Sequence, residues 1–226
     1  MHIPDGFVDV PTSAVAFGLS GAGIALALRQ ARSALDEAAA PMAGLAAVFI
    51  FAAQMINFPV AAGTSGHLIG AVLAAILIGP WAGMLAMTVV VGAQALVFAD
   101  GGLTALGLNL FNMAVLPVLF GWYGYRLLAK LLPKTRLGQL SAVAVIAYLS
   151  VPLSAASFSL QYAIGGTAPV DSGLVFGSMI AVHALIGIGE AIVTVLVVSA
   201  IAATRSDLIT AFAGVKQQLV IKGGEQ

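Results

Sequence analysis

Long apolar runs broken by short polar stretches dominate the chain. Seven hydrophobic segments are read near residues 12–28, 42–58, 66–79, 81–98, 104–126, 139–164 and 173–203. A helix needs about 20 apolar residues, or about 17 at the short end, to cross a bilayer. The third segment is short and is split from the fourth by Gly79-Pro80. A Gly-Pro pair favours a turn, and the residue before proline is pushed out of helical geometry. The alternative is one kinked helix over 66–98, which gives six crossings. Residues 1–203 read as a single transmembrane domain opened by a short N-terminal segment, 1–11, and residues 204–226 as a cytoplasmic tail.

Composition agrees with the segments. The 226 residues are 61% hydrophobic and 8% charged, with mean hydropathy +1.07, whereas soluble domains carry about 25% charged residues. The chain therefore reads as an all-α integral membrane protein, and the plasma (inner) membrane is its expected place. Its net charge is zero and gives no reason to expect a nucleic-acid partner. There is no cysteine, which excludes disulfides, thiolate nucleophiles and thiolate metal sites. No cleavable leader is expected, because the first 11 residues lack a basic stretch and the first apolar run is followed by arginines.

Charge chooses between six and seven crossings. With seven, all nine basic residues (Arg29, Arg32, Arg126, Lys130, Lys134, Arg136, Arg205, Lys216 and Lys222) fall on one face; with six they split two against seven. Basic residues collect on the cytoplasmic side, so seven is favoured, with the N-terminus outside and the C-terminus in the cytoplasm. Asp5, Asp9, Asp100 and Asp171 then lie on the outer side, and so does His67, at the end of the Gly-rich loop 59–66.

The start of the chain, Met1-His2, carries candidate chemistry on that outer face. The Met1 α-amine and the His2 amide nitrogen would close a five-membered chelate ring; the same amide and the His2 Nδ1 would close a six-membered one. A fourth nitrogen could come from His67, since His2 and His67 share a membrane face. Four nitrogens in a plane suit Ni(II) or Cu(II), with Co(II) less favoured, and disfavour the oxygen-seeking Mg(II) and Ca(II). The amide must lose its proton, and one amidate against a divalent ion leaves a centre of about +1, easier to bury than a bare dication. The chain must keep its initiator Met with a free amine.

Other polar positions are weighed as support. Asn57, Thr64, Ser65, Gln94, Asn109 and Asn112 lie near the outer ends of their segments and could orient the ligands. His183 and Glu190, seven residues apart on one helical face, read as a buried structural pair, with a lining or ligand-orienting role as the alternative. Ala14, Gly18 and Ala22 form a small-residue stripe suited to close helix packing, either within the bundle or against a partner helix. Apolar spacing over Ser206–Ile221 suggests a helix at the cytoplasmic surface.

Three stretches, MHIPDGF, NFPVAAGTSGHLIGAVLAAILIGP (57–80) and QALVFADGGLTALGLNLFNMA (94–114), resemble the CbiM/NikM family, the nickel/cobalt-binding S components of energy-coupling-factor transporters. They cover about the first half of the chain in the family's order. The resemblance implies a seven-transmembrane-helix S component that binds its metal outside through the Met1 amine, the His2 backbone and ring nitrogens, and His67. It implies Ni²⁺ or Co²⁺ as transported substrate, the latter for cobalamin biosynthesis. It also implies a transmembrane T component, two cytoplasmic ABC-type ATPase subunits and a small accessory membrane subunit. The chain itself would be no enzyme; it has no P-loop motif. The GTSGH form leans towards nickel, and Pro4-Asp5 stands where many cobalt-type members carry Met-Glu.

A different class fits one motif. Gly63-Thr64-Ser65-Gly66 resembles the nucleophile motif of rhomboid intramembrane serine proteases, with Ser65 and His183 as the dyad. Against it, Gly187 lies four residues after His183 where rhomboids place a glycine at three, and the Met-His start has no role. A simple channel is disfavoured because there is no acidic ring and no repeat.

Overall fold

A computed structural model describes residues 1–32, 39–60 and 64–212. Side-chain caps set several of the helix starts. Asp9 accepts from the Thr12 amide at 2.9 Å, and Pro11 sits in the first turn, where its missing N–H costs nothing; α1 follows as Val10–Ala31. Thr135 and Asp171 cap α6 (Arg136–Gly165) and α7 (Ser172–Thr204) in the same way. Between them lie α2 (Ala39–Gln54), α3 (Ala71–Val97), and a rod formed by α4 (Leu106–Leu110), a π turn (Phe111–Val115) and α5 (Leu116–Leu131).

Among the described residues, five stretches are long and apolar enough to cross a membrane: α1, α3, the rod Leu106–Leu131, α6 and α7. The helix α2 is apolar but shorter. Large side chains such as Leu160, Leu185 and Leu196 stand exposed on the outside of the bundle. Water would penalise this surface and lipid does not. The chain is a multi-pass membrane protein.

The helix α3 doubles back on itself. Gly79 has φ 79° and ψ 171°, outside helical geometry, and Pro80 follows. Nine residues of straight helix would separate Ala74 from Gly83 by about 13 Å. Instead, a Cβ on Gly83 would lie 3.1 Å from the backbone of Ala74 and Ala75, so 71–78 and 80–97 pack as a hairpin. Only glycine takes this φ without strain. The Thr210 hydroxyl donates to the Leu77 carbonyl at 2.9 Å and satisfies an acceptor near the reversal.

The sequence predicts helix from residue 66, but the chain enters the bundle extended. Short strands β1 (Phe58–Pro59) and β2 (Ser65–Gly66) pair antiparallel, and the helix of this segment begins at Ala71. Non-helical backbone survives at membrane depth only when protein supplies its hydrogen bonds. Here Glu190 accepts from the Ile69 and Gly70 amides at 2.8 and 2.7 Å, capping the half-helix 71–78. Gln54 donates to the Ile69 carbonyl at 2.6 Å, and Gln94 donates to Gln54 at 2.7 Å. Gly70, at φ 76°, also lets the backbone approach Ile50, whose Cγ2 would be 2.7 Å from a Cβ there.

Two further expectations change. His183 and Glu190 share a face but do not pair: Glu190 serves the half-helix, while His183 Nδ1 lies 2.8 Å from the Met179 carbonyl. Beyond α7 the chain forms two 3₁₀ turns, Ser206–Leu208 and Thr210–Phe212, in place of the helix expected from 206; residues 213–221 of that expectation lie outside the described residues. On α1 the stripe Ala14, Gly18 and Ala22 is exposed. The inward face is instead Ser13, Ala16, Ser20, Ala27 and Ala31, so the stripe does not pack within the bundle.

Candidate metal centre

Residues 1–9 form a hook folded back over one end of the bundle. Its base is a single antiparallel bridge between Val8 and Gly166. The Asp9 amide donates to the Gly165 carbonyl at 2.7 Å and the Thr167 amide to the Phe7 carbonyl at 3.1 Å. Phe7 packs on Tyr162 with ring centroids 4.8 Å apart. Gly6, at φ 72°, turns the chain inward. Asp5 then accepts from both the amide and the hydroxyl of Thr104, which hold its carboxyl below the usual range.

Ile3 is clamped on both sides of its backbone. Its amide donates to Asn109 Oδ1 at 2.7 Å, its carbonyl accepts from Asn109 Nδ2 at 3.1 Å, and the Gly102 amide donates to that carbonyl at 2.8 Å. Side chains would prevent this approach: a Cβ on Gly102 would strike Pro4 and Asp5, and one on Gly101 would lie 2.8 Å from His2 Nδ1. Met1 and Ile3 are thus fully buried and His2 is 5% exposed.

The hook brings His2 and His67 together. Their rings stack with centroids 4.9 Å apart and 29° between planes. His67 Nδ1 lies 2.6 Å from the Leu68 carbonyl. A carbonyl only accepts, so Nδ1 holds the proton and Nε2 keeps a bare lone pair. The same logic leaves Nε2 of His183 bare. His2 Nδ1, His67 Nε2 and His183 Nε2 are buried with no hydrogen-bond partner. Native interiors pair nearly all such atoms, so an unpaired cluster asks for a ligand.

Burial also deprotonates the hook. It pushes the Met1 amine from its ordinary 8.0 down to about 4, against a smaller opposing pull from the Asp100 carboxylate. Burial, then repulsion from the terminal amine, takes His2 down to about 3. Both groups therefore present lone pairs at neutral pH. Among the described residues no three His, Cys, Asp or Glu side chains make a metal-holding group by themselves. The buried Met1 amine and the His2 amide are main-chain nitrogens of the same hook.

The supporting residues named from the sequence divide. Asn109 reaches the hook, and buried Thr64, through its hydroxyl, contacts the Met179 sulfur at 3.8 Å. Gln94 contributes through its carbonyl, which accepts from the Asp100 amide at 2.9 Å. Asn57 is exposed. Asn112, within the π turn, bonds Gln161 and Ser157 of α6 rather than the hook. Its place near the end of a hydrophobic segment could not reveal which helix its amide would face. Ser65 does not serve His183, whose Nε2 faces Gly66 without a hydrogen bond, so no Ser-His dyad forms. Sequence reasoning passed over Asp100, whose Oδ2 is 3.6 Å from His2 Nε2, and the glycines behind it. The run Asp100-Gly101-Gly102 was the available signal.

Comparison with known proteins identifies the family. Residues 2–208 match the family model described as the cobalt uptake substrate-specific transmembrane region, CbiM. A putative metal transport protein of Haloquadratum walsbyi is 43% identical, over 92% of this chain and 93% of its own length. A putative fused nickel transport protein, NikMN, of Archaeoglobus fulgidus is 39% identical, over 92% of this chain and 68% of its own. A crystal structure of a transition metal transporter superposes with TM-score 0.84 at 30% identity, covering 90% of this chain and 93% of the other. With the family model spanning nearly the whole chain, the protein belongs to the CbiM family of cobalt uptake substrate-specific transmembrane regions.

Proposed function

We propose that this chain is the substrate-capturing subunit of an ATP-driven uptake transporter for Ni(II), with Co(II) as the second substrate. The ion is held by the Met1 amine, the His2 amide and ring, and His67 Nε2. The observation that carries this is the convergence of buried, unprotonated and unpartnered nitrogens under the hook. A chelate of nitrogen donors, one of them an amidate, favours Ni(II) over Co(II) and rejects Mg(II) and Ca(II). The cobalt and nickel names of the family model and of the NikMN relative support the substrate class.

In this proposal the chain crosses the membrane seven times, with the Gly79 reversal at the cytoplasmic end and the hook outside. Support comes from charge. The described basic residues Arg29, Arg32, Arg126, Lys130, Lys134, Arg136 and Arg205 sit at helix ends remote from the hook along their helices, as expected for the cytoplasmic side. The ion enters from outside, and release follows rearrangement of the subunit driven by ATP hydrolysis in its partners. These are a transmembrane T component, two ATPase subunits and a small accessory membrane protein. The exposed stripe Ala14, Gly18 and Ala22 is the helix face offered to the T component. Protonation of the amidate helps the ion leave.

Metal analysis of the purified chain after competition between Ni(II) and Co(II) tests the proposal. One nickel per chain is expected, retained against equimolar cobalt. A chain that takes up neither ion would overturn it.

A further inference from the structure

The hook's ligands account for four nitrogens but leave a charge. A divalent ion with one amidate is a centre of about +1, inside a site where Met1 is fully buried. Such a centre is costly in a medium of low dielectric unless a counter-charge lies beside it. Among the described residues one carboxylate reaches the ligands: Asp100, with Oδ2 3.6 Å from His2 Nε2. Its side chain is 27% exposed, so it stands at the mouth of the site, between the buried nitrogens and the outside. No Lys or Arg forms an ion pair with it among the described residues. The other acidic side chains at this end are committed elsewhere: Asp5 to Thr104, Asp9 to the Thr12 amide and Asp171 to the Leu174 amide.

The turn that carries Asp100 is built to hold it there. The Gln94 carbonyl at the end of α3 accepts from both Phe98 and Asp100 amides, at 3.2 and 2.9 Å. Ala99 takes φ 52°, a left-handed conformation that a residue with a Cβ adopts only at a cost. Gly101 follows at φ 96°, and a Cβ there would collide with His2 Nδ1 and with Asn109 Nδ2. Strain and absent side chains at neighbouring positions thus converge on one result, a carboxylate seated against the second ring nitrogen of His2.

We infer that Asp100 is a positioning and charge-balancing residue for the metal: it holds the proton of His2 on Nε2, so that Nδ1 faces the ion, and it brings the loaded site to neutrality. A separation of 3.6 Å is an ion-pair distance and not a formed hydrogen bond. A metal on Nδ1 makes Nε2–H a stronger donor and draws the pair together, as carboxylates behind metal-bound histidines do. Neutrality also favours an ion of charge two over monovalent or trivalent competitors. This inference rests on the proposed Met1, His2 and His67 site.

Two variants separate the two roles. Asp100→Asn keeps an acceptor for Nε2–H and loses the charge; Asp100→Ala loses both. Ni(II) affinity by calorimetry on the purified full chain should fall about 10-fold or more for Asn, and up to about 100-fold for Ala. In ¹⁵N spectra of the metal-free protein, His2 should keep its Nε2–H tautomer in the Asn variant and show a mixture in the Ala variant. Nickel affinity within twofold of the parent in both variants would overturn the inference. His67→Ala, run alongside, distinguishes the two levels. If it abolishes binding while the Asp100 variants bind normally, only the role of Asp100 fails; if it binds nickel normally, the site itself fails.

Discussion

Two groups of buried polar side chains lie within a few residues of each other along the 64–70 segment, and they are finished differently. Around Ile69 and Gly70 every exposed backbone need is met: Glu190 takes both amides and Gln54 supplies the carbonyl. Around His67, Nε2 of His67, Nε2 of His183 and Nδ1 of His2 are left without a hydrogen-bond partner. Both groups cost the same kind of desolvation. The first recovers it on folding and is architecture, because it lets an extended chain and a half-helix exist inside the bundle. The second recovers nothing until something binds, so the fold carries it as an unspent capacity for a ligand.

That contrast breaks most sharply at the hook. Inserting one residue after Met1, or changing His67→Ala, should lower nickel affinity by more than about 100-fold, since the first pushes the amine out of its buried seat and out of the five-membered ring with the His2 amide, and the second removes a donor. Calorimetry measures the loss. The melting temperature of the metal-free protein should fall less for His67→Ala than for loss of the Glu190 carboxylate, because the substitution removes a bare buried nitrogen together with the single Nδ1 bond to the Leu68 carbonyl.

Glu190→Ala should do the reverse. It strips two buried amides of their acceptor, at about 2–3 kcal/mol, and should lower the metal-free melting temperature by about 5–10 °C. Metal affinity falls only as the segment carrying His67 loosens. If Glu190→Ala left stability intact and His67→Ala unfolded the protein, the division between architecture and chemistry would be reversed.

Smaller effects come from protons. The Met1 amine is depressed from 8.0 to about 4 by burial. The unfolded chain therefore binds more protons than the folded one between those values, and metal-free stability should decline as pH falls from 8 towards 4. For the same reason the amine is already neutral at pH 7. Nickel binding should then release about one proton, from the His2 amide, and not two. Calorimetry in buffers of different ionisation enthalpy counts them; two protons released would mean that the amine is protonated in the folded state.

Hydropathy located the helices well because lipid demands long apolar runs and their ends are abrupt. Segments read at 139–164 and 173–203 became Arg136–Gly165 and Ser172–Thr204. Gly79-Pro80 correctly marked a break, since both residues act through the local backbone. The extended stretch before Ala71 was hidden, because the groups replacing its helical hydrogen bonds, Gln54 and Glu190, lie 15 and 121 residues from Ile69. Met1, His2 and His67 could be named from chelate geometry and family likeness, and the structure buries them together. Asp100 was missed because its meaning depends on the hook folding over the α3 turn, a contact between distant parts of the chain. Asn57 is exposed and Asn112 turns to α6, since nearness to a segment end does not fix a side chain's direction.

X-ray absorption at the nickel edge of the loaded chain tests the central claim most directly. Four nitrogen donors are expected in a planar array, with scattering from two imidazole rings, and the pattern should disappear when a residue is inserted after Met1. Six-coordinate nickel dominated by oxygen, or a spectrum unchanged by the insertion, would contradict a metal centre built on the start of the chain.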